Sequence, residues 1–222
     1  MSTNIIVSYD GTSNDDDALA LGAILGRSGA TLALAYVRHS REFDPAREEL
    51  AQHDAERRLE HGASGLGDPS IPQHIVVSAS TGEGLAKLAE REGASIIVFG
   101  SDYRITPGHV EPGATAQSLL EGGPVAIAVA PAGLRTVRDS TIKTIAVASP
   151  DGDGMVAKTA QSLADKLGAT LVGAEQKPDL LVVGSQSGAP PGRIALSGPT
   201  RSQLNSARSA VLVLPQGKSI AF

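Results

Sequence analysis

One carboxylate and a set of glycines carry the chemistry this sequence can offer. Asp10 follows a short β-type run, Asn4 to Tyr9, and is followed at once by Gly11 and Thr12. Much later, Ala94 to Thr115 reads as an apolar run (Ile96 to Phe99) stopped by Gly100, a loop rich in Pro and Gly, and a periodic segment opening Gly113-Ala114-Thr115. A strand, a glycine-bearing loop and a small-residue helix start leave main-chain N–H groups free to point at one spot, and such groups hold phosphate. A carboxylate facing them accepts hydrogen bonds from sugar hydroxyls or a base, so the pair suits a nucleotide. The same stretch also serves as a plain strand-to-helix connection without ligand, and the residues alone leave both readings open.

Other chemistries have less support. Asp15, Asp16 and Asp17 stand in a row, but successive helical residues point about 100° apart, so they do not converge on one metal ion. They suit the first turn of a helix, where the dipole favours anions, with Ser13 or Asn14 as its cap. His53 and His61 stand eight apart on a strongly charged segment and read as surface residues. His109 stands in the loop before Gly113, where it faces either water or a phosphate. Gly217-Lys218-Ser219 resembles the end of a phosphate-binding P-loop, yet Leu212 stands where the first glycine belongs. No Gly-x-Ser-x-Gly turn supports an esterase nucleophile. Cysteine is absent, which removes disulfides, thiol nucleophiles and thiolate metal sites.

Composition narrows the class further. A hydrophobic fraction of 41% supports a true core, and with aromatics at 3% that core must be Ala, Val, Leu and Ile. A formal charge of −5 with no basic stripe argues against a nucleic-acid surface. No apolar run approaches the roughly 18 residues of a membrane span. The first residues lack the basic and apolar regions of a signal peptide. The expectation is a cytoplasmic protein with no nucleic-acid or membrane partner.

The elements that must position Asp10 and the glycines follow from periodicity. After the first strand, a helix runs to about Arg27, with Gly29 placed to end it. Thr31 to Val37 is a second strand. Asp44-Pro45 starts a charged helix reaching about Glu60, and Gly62 to Pro72 reads as a loop. His74 to Ser78 is a third strand, and Thr81 caps a helix ending near Glu92. Ile96 to Phe99 is an unbroken apolar run, as in a strand buried on both faces of a parallel sheet. Gly122-Gly123-Pro124 breaks the chain before a fifth strand, Val125 to Val129, and Pro131 to Ser140 reads as a linker.

Beyond the linker the chain repeats itself. Gly168-Ala-Thr-Leu-Val echoes Gly29-Ala-Thr-Leu-Ala at an offset of 139 residues. Leu181-Val-Val-Gly184-Ser185 echoes Ile97-Val-Phe-Gly100-Ser101 at an offset of 84, and Val211 to Gly217 echoes Ile127 to Gly133 at the same offset. The second copy has therefore lost a block matching the helix at Pro45, the third strand and the third helix. Alternating strands and helices predict an α/β fold. The expectation is an open parallel five-stranded sheet in the order 3-2-1-4-5, sandwiched by helices, duplicated, with the second copy truncated. Residues 1–134 would form the complete domain and 140–222 the truncated one. In such a sheet ligands sit past the strand ends where the order reverses, between the first strand and the fourth.

The strand ending in Asp10-Gly11-Thr12, the strand Thr31 to Val37, and Ser95-Ile-Ile-Val-Phe-Gly100-Ser101 followed by Gly113 resemble the universal stress protein family. The resemblance covers nearly the whole chain as a tandem of two such domains. Nucleotide-binding members carry Gly, two residues, Gly, nine residues, Gly, then Ser or Thr. Gly100 and Gly113 match the first and third glycines, Tyr103 replaces the second, and Ala114 precedes the hydroxyl residue, Thr115. The resemblance implies that Asp10 binds adenosine, that Val37 lines the base and that Gly100, Gly113, Ala114 and Thr115 hold phosphate, with Tyr9, Gly11, Phe99 and Tyr103 completing the expected nucleotide site. The implied ligand is ATP, the implied role a stress-response sensor or regulator, and no motif demands Mg²⁺. Tyr103 would deny the close backbone approach that glycine allows, with Gly108 as another flexible point.

In the second copy Ser149 takes the place of Asp10 and Pro150 that of Gly11, with Asp151 two residues on. Gly184, Gly188 and Gly198 come near the phosphate motif, and Ser197 can cap a helix that Pro199 starts. That copy is expected to be a structural partner. In this family the last strand commonly pairs across a dimer, so Ala126 to Ala130 should pair with Val211 to Leu214 inside one chain as a pseudo-dimer, with a homodimer of whole chains left open. No positioned base or phosphate-neutralising Lys is evident, so any ATP hydrolysis would be slow. Two alternatives stand beside nucleotide binding: a nucleotide-free interaction module, and an enzyme that activates a substrate with ATP.

Overall fold

The computed structural model describes residues 4–137, 139–148 and 154–222. The first half contains β1 (Asn4–Ser8), α1 (Asp15–Gly26), β2 (Thr31–Arg38), α2 (Pro45–Gly65), β3 (Gln73–Val77), α3 (Thr81–Glu92), β4 (Ile96–Gly100), α4 (Ala114–Leu120) and β5 (Ala126–Ala130). The second half contains β6 (Thr144–Ala148), α5 (Gly154–Leu167), β7 (Thr170–Val172), β8 (Leu180–Gly184), α6 (Gly198–Ser206) and β9 (Ala210–Leu214).

The nine strands of the described residues lie in one sheet, in the order β3-β2-β1-β4-β5-β9-β8-β6-β7. Its first five strands have the expected 3-2-1-4-5 order. The other four give the mirrored order with the third strand missing. A single 3-10 turn, Ala174–Gln176, spans the place of the lost block. Pairing is parallel within each half and antiparallel at the junction, where Ile127, Ala128 and Val129 face Val213, Leu212 and Val211. Each half's last strand thereby covers an edge that would otherwise expose a row of unpaired amides and carbonyls.

Alternation along the strands sends side chains to two cores. Ile5, Val7, Tyr9, Leu34, Ile96 and Val98 join the face covered by α1, α2 and α5. Ile6, Val37, Ile97, Phe99 and Val129 join the other face, covered by α3, α4 and α6. The run Ile96 to Phe99 is buried throughout. Burying each such side chain stabilises the fold by about 2 kcal/mol.

Three boundaries differ from the sequence expectation, each for a local reason. Helix α2 runs on to Gly65 because Gly62, expected to open a loop, faces the core. A Cβ there would lie 3.0 Å from the Tyr9 ring, so glycine lets helix and strand approach. Helix α3 is capped by Ser80, whose hydroxyl accepts the Glu83 N–H at 3.3 Å, and not by Thr81. Helix α1 has no side-chain cap from Asn14. Asp44 caps α2 as expected, accepting from the N–H groups of Ala46 and Arg47. Among the described residues no helix is long and apolar enough to cross a membrane.

The loops after β4 and β8 repeat each other bond for bond. Ser101 Oγ donates to Ala130 O at 2.6 Å, and Ser185 Oγ to Leu214 O at 2.7 Å. The N–H of Glu111 donates to Ser101 Oγ, and that of Ala195 to Ser185 Oγ, both at 3.2 Å. Each loop also crosses the junction. Val110 N–H donates to Ala207 O at 3.1 Å, and its counterpart Ile194 N–H donates to Gly123 O at 2.9 Å. This reciprocity, in which i meets j and j's counterpart meets i's, is the signature of a two-fold contact.

Candidate functional site

At the C-terminal ends of β1 and β4 the strand order reverses, and the chain after β1 folds tightly there. Gly11 has φ +87°, a left-handed conformation that favours glycine. The turn is tied by Asp15, whose Oδ2 accepts the N–H of Asp10 at 3.1 Å, the N–H of Thr12 at 3.0 Å and the Thr12 hydroxyl at 2.8 Å. Asp10 Oδ1 accepts the Thr12 N–H at 3.1 Å. Arg58, reaching in from α2, donates to Asp10 O at 2.6 Å and lies over the Tyr36 ring at 5.5 Å.

Two carboxylates therefore share this turn and titrate as a pair. Burial pushes Asp15 up to about 7, reinforced by the hydrogen bond to and the charge of Asp10. Burial also acts upward on Asp10, but hydrogen bonds from Asp15 and Thr12 outweigh it and hold that carboxyl below its ordinary value. Tyr9 is buried in the core, and desolvation followed by the charges of Asp16 and Asp15 pushes its phenol up to about 12.

The three consecutive aspartates go three ways, as their helical spacing requires. Asp15 holds the Asp10 turn, and Asp16 bonds the Tyr9 phenol. Asp17 is buried and accepts the N–H groups of Gly133 and Arg135, each at 2.8 Å, and the Arg135 guanidinium at 2.9 Å. That carboxylate pins the chain leaving β5 onto α1.

Gly100 sits directly against this turn. A Cβ at Gly100 would fall 1.9 Å from the carbonyl oxygen of Asn14, so no other residue fits. An antiparallel bridge between Ser101 and Pro112 brings the start of α4 back to the end of β4. The structure thus gathers Asp10, Gly11, Gly100 and Gly113 at one end of the sheet. Gly113 itself is unconstrained, with φ −64° and nothing within 4 Å of a built Cβ. As the N-cap of α4 it makes no side-chain cap bond, so Ala114 and Thr115 open the helix without one.

The middle of the loop is already occupied by the protein's own bonds. The N–H of Asp102 goes to Glu111 O, that of Arg104 to Asp102 Oδ1, that of Ile105 to Asp102 O, and that of Gly108 to Ala132 O. The His109 N–H goes to Thr106 O, so His109 serves the loop's own turn through its backbone. Tyr103, at the place of the missing glycine, turns its ring outward: it is 67% exposed, with Arg104 over its face at 5.1 Å and Arg104 Nε donating to its hydroxyl at 3.0 Å. Val37 and Phe99 are buried in the core on the α3 face, at the upper ends of β2 and β4. Ser149, Pro150 and Asp151 lie outside the described residues.

Sequence reasoning missed Arg58, Arg38 and the pairing role of Asp15. Arg38 is buried at the end of β2 and forms a two-pronged pair with Glu48, at 2.6 and 3.1 Å, and a bond to Gln52. The one available signal was helical spacing: Glu48 and Gln52 are four apart and Arg58 lies near Ala55 and Leu59 on the inner side of α2. A cavity of about 990 Å³ opens elsewhere, at the junction of the halves, and none of the ten residues predicted from sequence lines it.

Comparison with known proteins agrees with this architecture. The chain resembles a universal stress protein of Archaeoglobus fulgidus DSM 4304 with a TM-score of 0.74 at 13% identity, over 98% of this chain and 100% of that one. It resembles one from Pseudomonas aeruginosa UCBPP-PA14, described as putative, with a TM-score of 0.63 at 17% identity, over 96% and 93% of the two chains. Both likenesses are of fold. No curated protein sequence matches the chain. The model of the Universal stress protein family matches residues 1–131, the half that holds Asp10, Gly100 and Gly113. With that match over more than half its length, on a 3-2-1-4-5 sheet, this chain belongs to the universal stress protein family.

Proposed function

We propose that the first half binds an adenine nucleotide, ATP, at the C-terminal ends of β1 and β4, and that the protein acts as a nucleotide-dependent sensor or regulator in stress response. The observation that carries this reading is the convergence of the Asp10–Thr12 turn and the uncapped start of α4 on Gly100, at the reversal of strand order. Asp10 would take the sugar hydroxyls, Gly11 would frame the adenosine side, and the N–H groups at Gly113, Ala114 and Thr115 would meet phosphate. Tyr9, Val37 and Phe99, buried in the cores on the two faces, would support these strand ends from below. The amides bonded within the loop leave this last group as the cradle, shorter than the full motif, with Tyr103 outside it. No lysine stands among these residues, which favours retention of the nucleotide over its hydrolysis.

Calorimetric titration with ATP tests the reading. Wild type should bind with micromolar affinity and Asp10→Ala should lose it. A folded wild-type protein that gives no heat sinks the proposal.

A second reading draws on the reciprocal bonds Val110 to Ala207 and Ile194 to Gly123. In it, residues 1–134 and 140–222 are two domains of an intramolecular pseudo-dimer, and the protein is an interaction module that needs no nucleotide. Full loss of ATP binding with both halves intact would favour this reading.

A further inference from the structure

The lost block of the second half has left a space. In the first half α3 lies across β1, β2 and β4 and packs against α4, with Gly82 against Leu119. At the offset of 84 residues, the counterparts of Ile97, in the core that α3 covers, and of Leu119, against Gly82 of α3, are Leu181 and Gln203. Both line the cavity of about 990 Å³. Where the first half seats a helix, the second half holds an opening the size of a ligand site.

Its lining has a definite chemistry. Leu181 and Ala207, with half-buried Ala148 beside them, give it an apolar floor on the α3/α4/α6 face of the sheet. Lys143, Lys177 and Arg208 stand exposed on its walls. Among the described residues none of these three forms an ion pair. Two carboxylates also line it, Asp139 and Asp179. Asp179 Oδ2 is occupied, accepting the N–H groups of Lys143 and Thr144 and the Thr144 hydroxyl, each at 2.9 Å. On a chain of net charge −5, three cations against two carboxylates leave this lining with a positive balance, a local attraction for anions.

We propose that this cavity binds a small organic anion, an apolar body carrying one carboxylate or phosphate, with the body on the Leu181–Ala207 floor and the charge between Lys177 and Arg208. The site is separate from the one at Asp10 and does not depend on it.

Octanoate is the probe, with 1-octanol as its neutral counterpart, each titrated calorimetrically into the full chain. Octanoate should bind once per chain and more tightly than 1-octanol. Lys177→Gln with Arg208→Gln should weaken octanoate by about tenfold or more, the size of a lost charge contact, and leave 1-octanol unchanged. Ser206→Trp, which places a ring in the opening, should abolish both. Asp10→Ala should keep octanoate binding intact. Because Lys177, Arg208 and Ser206 are exposed, thermal melts should show all variants folded. Absence of octanoate binding to wild type, unchanged affinity in the charge variant or in Ser206→Trp, or loss of binding in Asp10→Ala would each overturn the proposal.

Discussion

The two halves keep the same loop and differ in the carboxylates that stand beside it in the first. The loop's internal bonds, its buried serine and its reach across the junction are reproduced at an offset of 84 residues. The acids are not. The counterparts of Asp10, Asp15 and Asp17, at an offset of 139, are Ser149, Gly154 and Val156. What the duplication retained is the apparatus that joins the halves; what the second copy dropped is the carboxylate turn at the strand-order reversal. This difference teaches that loop architecture and candidate ligand chemistry are separable here, and substitution can test each part.

The largest effect is expected at Gly100. Gly100→Ala puts a methyl on the Asn14 carbonyl and should cost about 3 kcal/mol or more in urea denaturation, since backbone cannot step aside as a side chain can. Gly113→Ala, with open space around it, should cost under about 1 kcal/mol, the penalty of a poorer N-cap. If the two cost the same, Gly100 is not held by the turn after β1, and the account of the crevice fails.

Next comes Asp17→Val, which places the second half's residue in the first half. It leaves the N–H groups of Gly133 and Arg135 without their acceptor and should cost about 2–3 kcal/mol by chemical denaturation. A neutral result would mean that the connection between the halves does not rely on that carboxylate.

Smaller, and more informative about the duplication, is the pair Ser101→Ala and Ser185→Ala. Both serines are buried, and both donate to the end of the last strand while accepting a loop amide. Each variant should lose about 1–2 kcal/mol, and the two losses should match within about 0.5 kcal/mol. A cost confined to Ser101 would show that the second loop has drifted from its role despite its identical bonds.

Much of the architecture was legible because it rests on local signals. The apolar run Ile96 to Phe99, the Asp44-Pro45 helix start and the glycines after helices declare themselves within a few residues. The difference between the 139 and 84 offsets located the missing block, and with it the truncated order of the second half. The site was half legible. Asp10, Gly100 and Gly113 follow from strand ends and glycine spacing, and the structure brings them together. Arg58, the Asp10–Asp15 pair and the Asp17 clasp on Gly133 join residues up to 118 apart in sequence, and no periodicity encodes such partners. The loop amides were read as free because a Pro/Gly-rich segment gives no sign of which carbonyls it will meet. The cavity follows from a helix that is absent, and its lining was visible only once the remaining elements were placed.

The smallest effect concerns the acid pair, which the second half lacks altogether. Asp15 has a folded value of about 7 against an ordinary 3.8. A carboxyl whose value rises on folding favours the folded state fully below the unfolded value, and this contribution is lost as pH climbs through the folded one. Asp10 moves the opposite way, so its contribution is already complete above its ordinary value and stays constant while that of Asp15 is lost. Wild type should therefore lose stability between about pH 4 and pH 7 and level off by about pH 8, by about 1 kcal/mol or ~3 °C in melting temperature after solvent screening. Asp15→Asn keeps an acceptor for the Thr12 hydroxyl but cannot ionise. Its melting temperature should vary less with pH across that range and should exceed that of wild type at pH 8. A wild-type profile that rises with pH, or a variant that melts lower than wild type at pH 8, would mean that Asp15 carries its charge at neutral pH and that the turn holds two anions, not one shared proton.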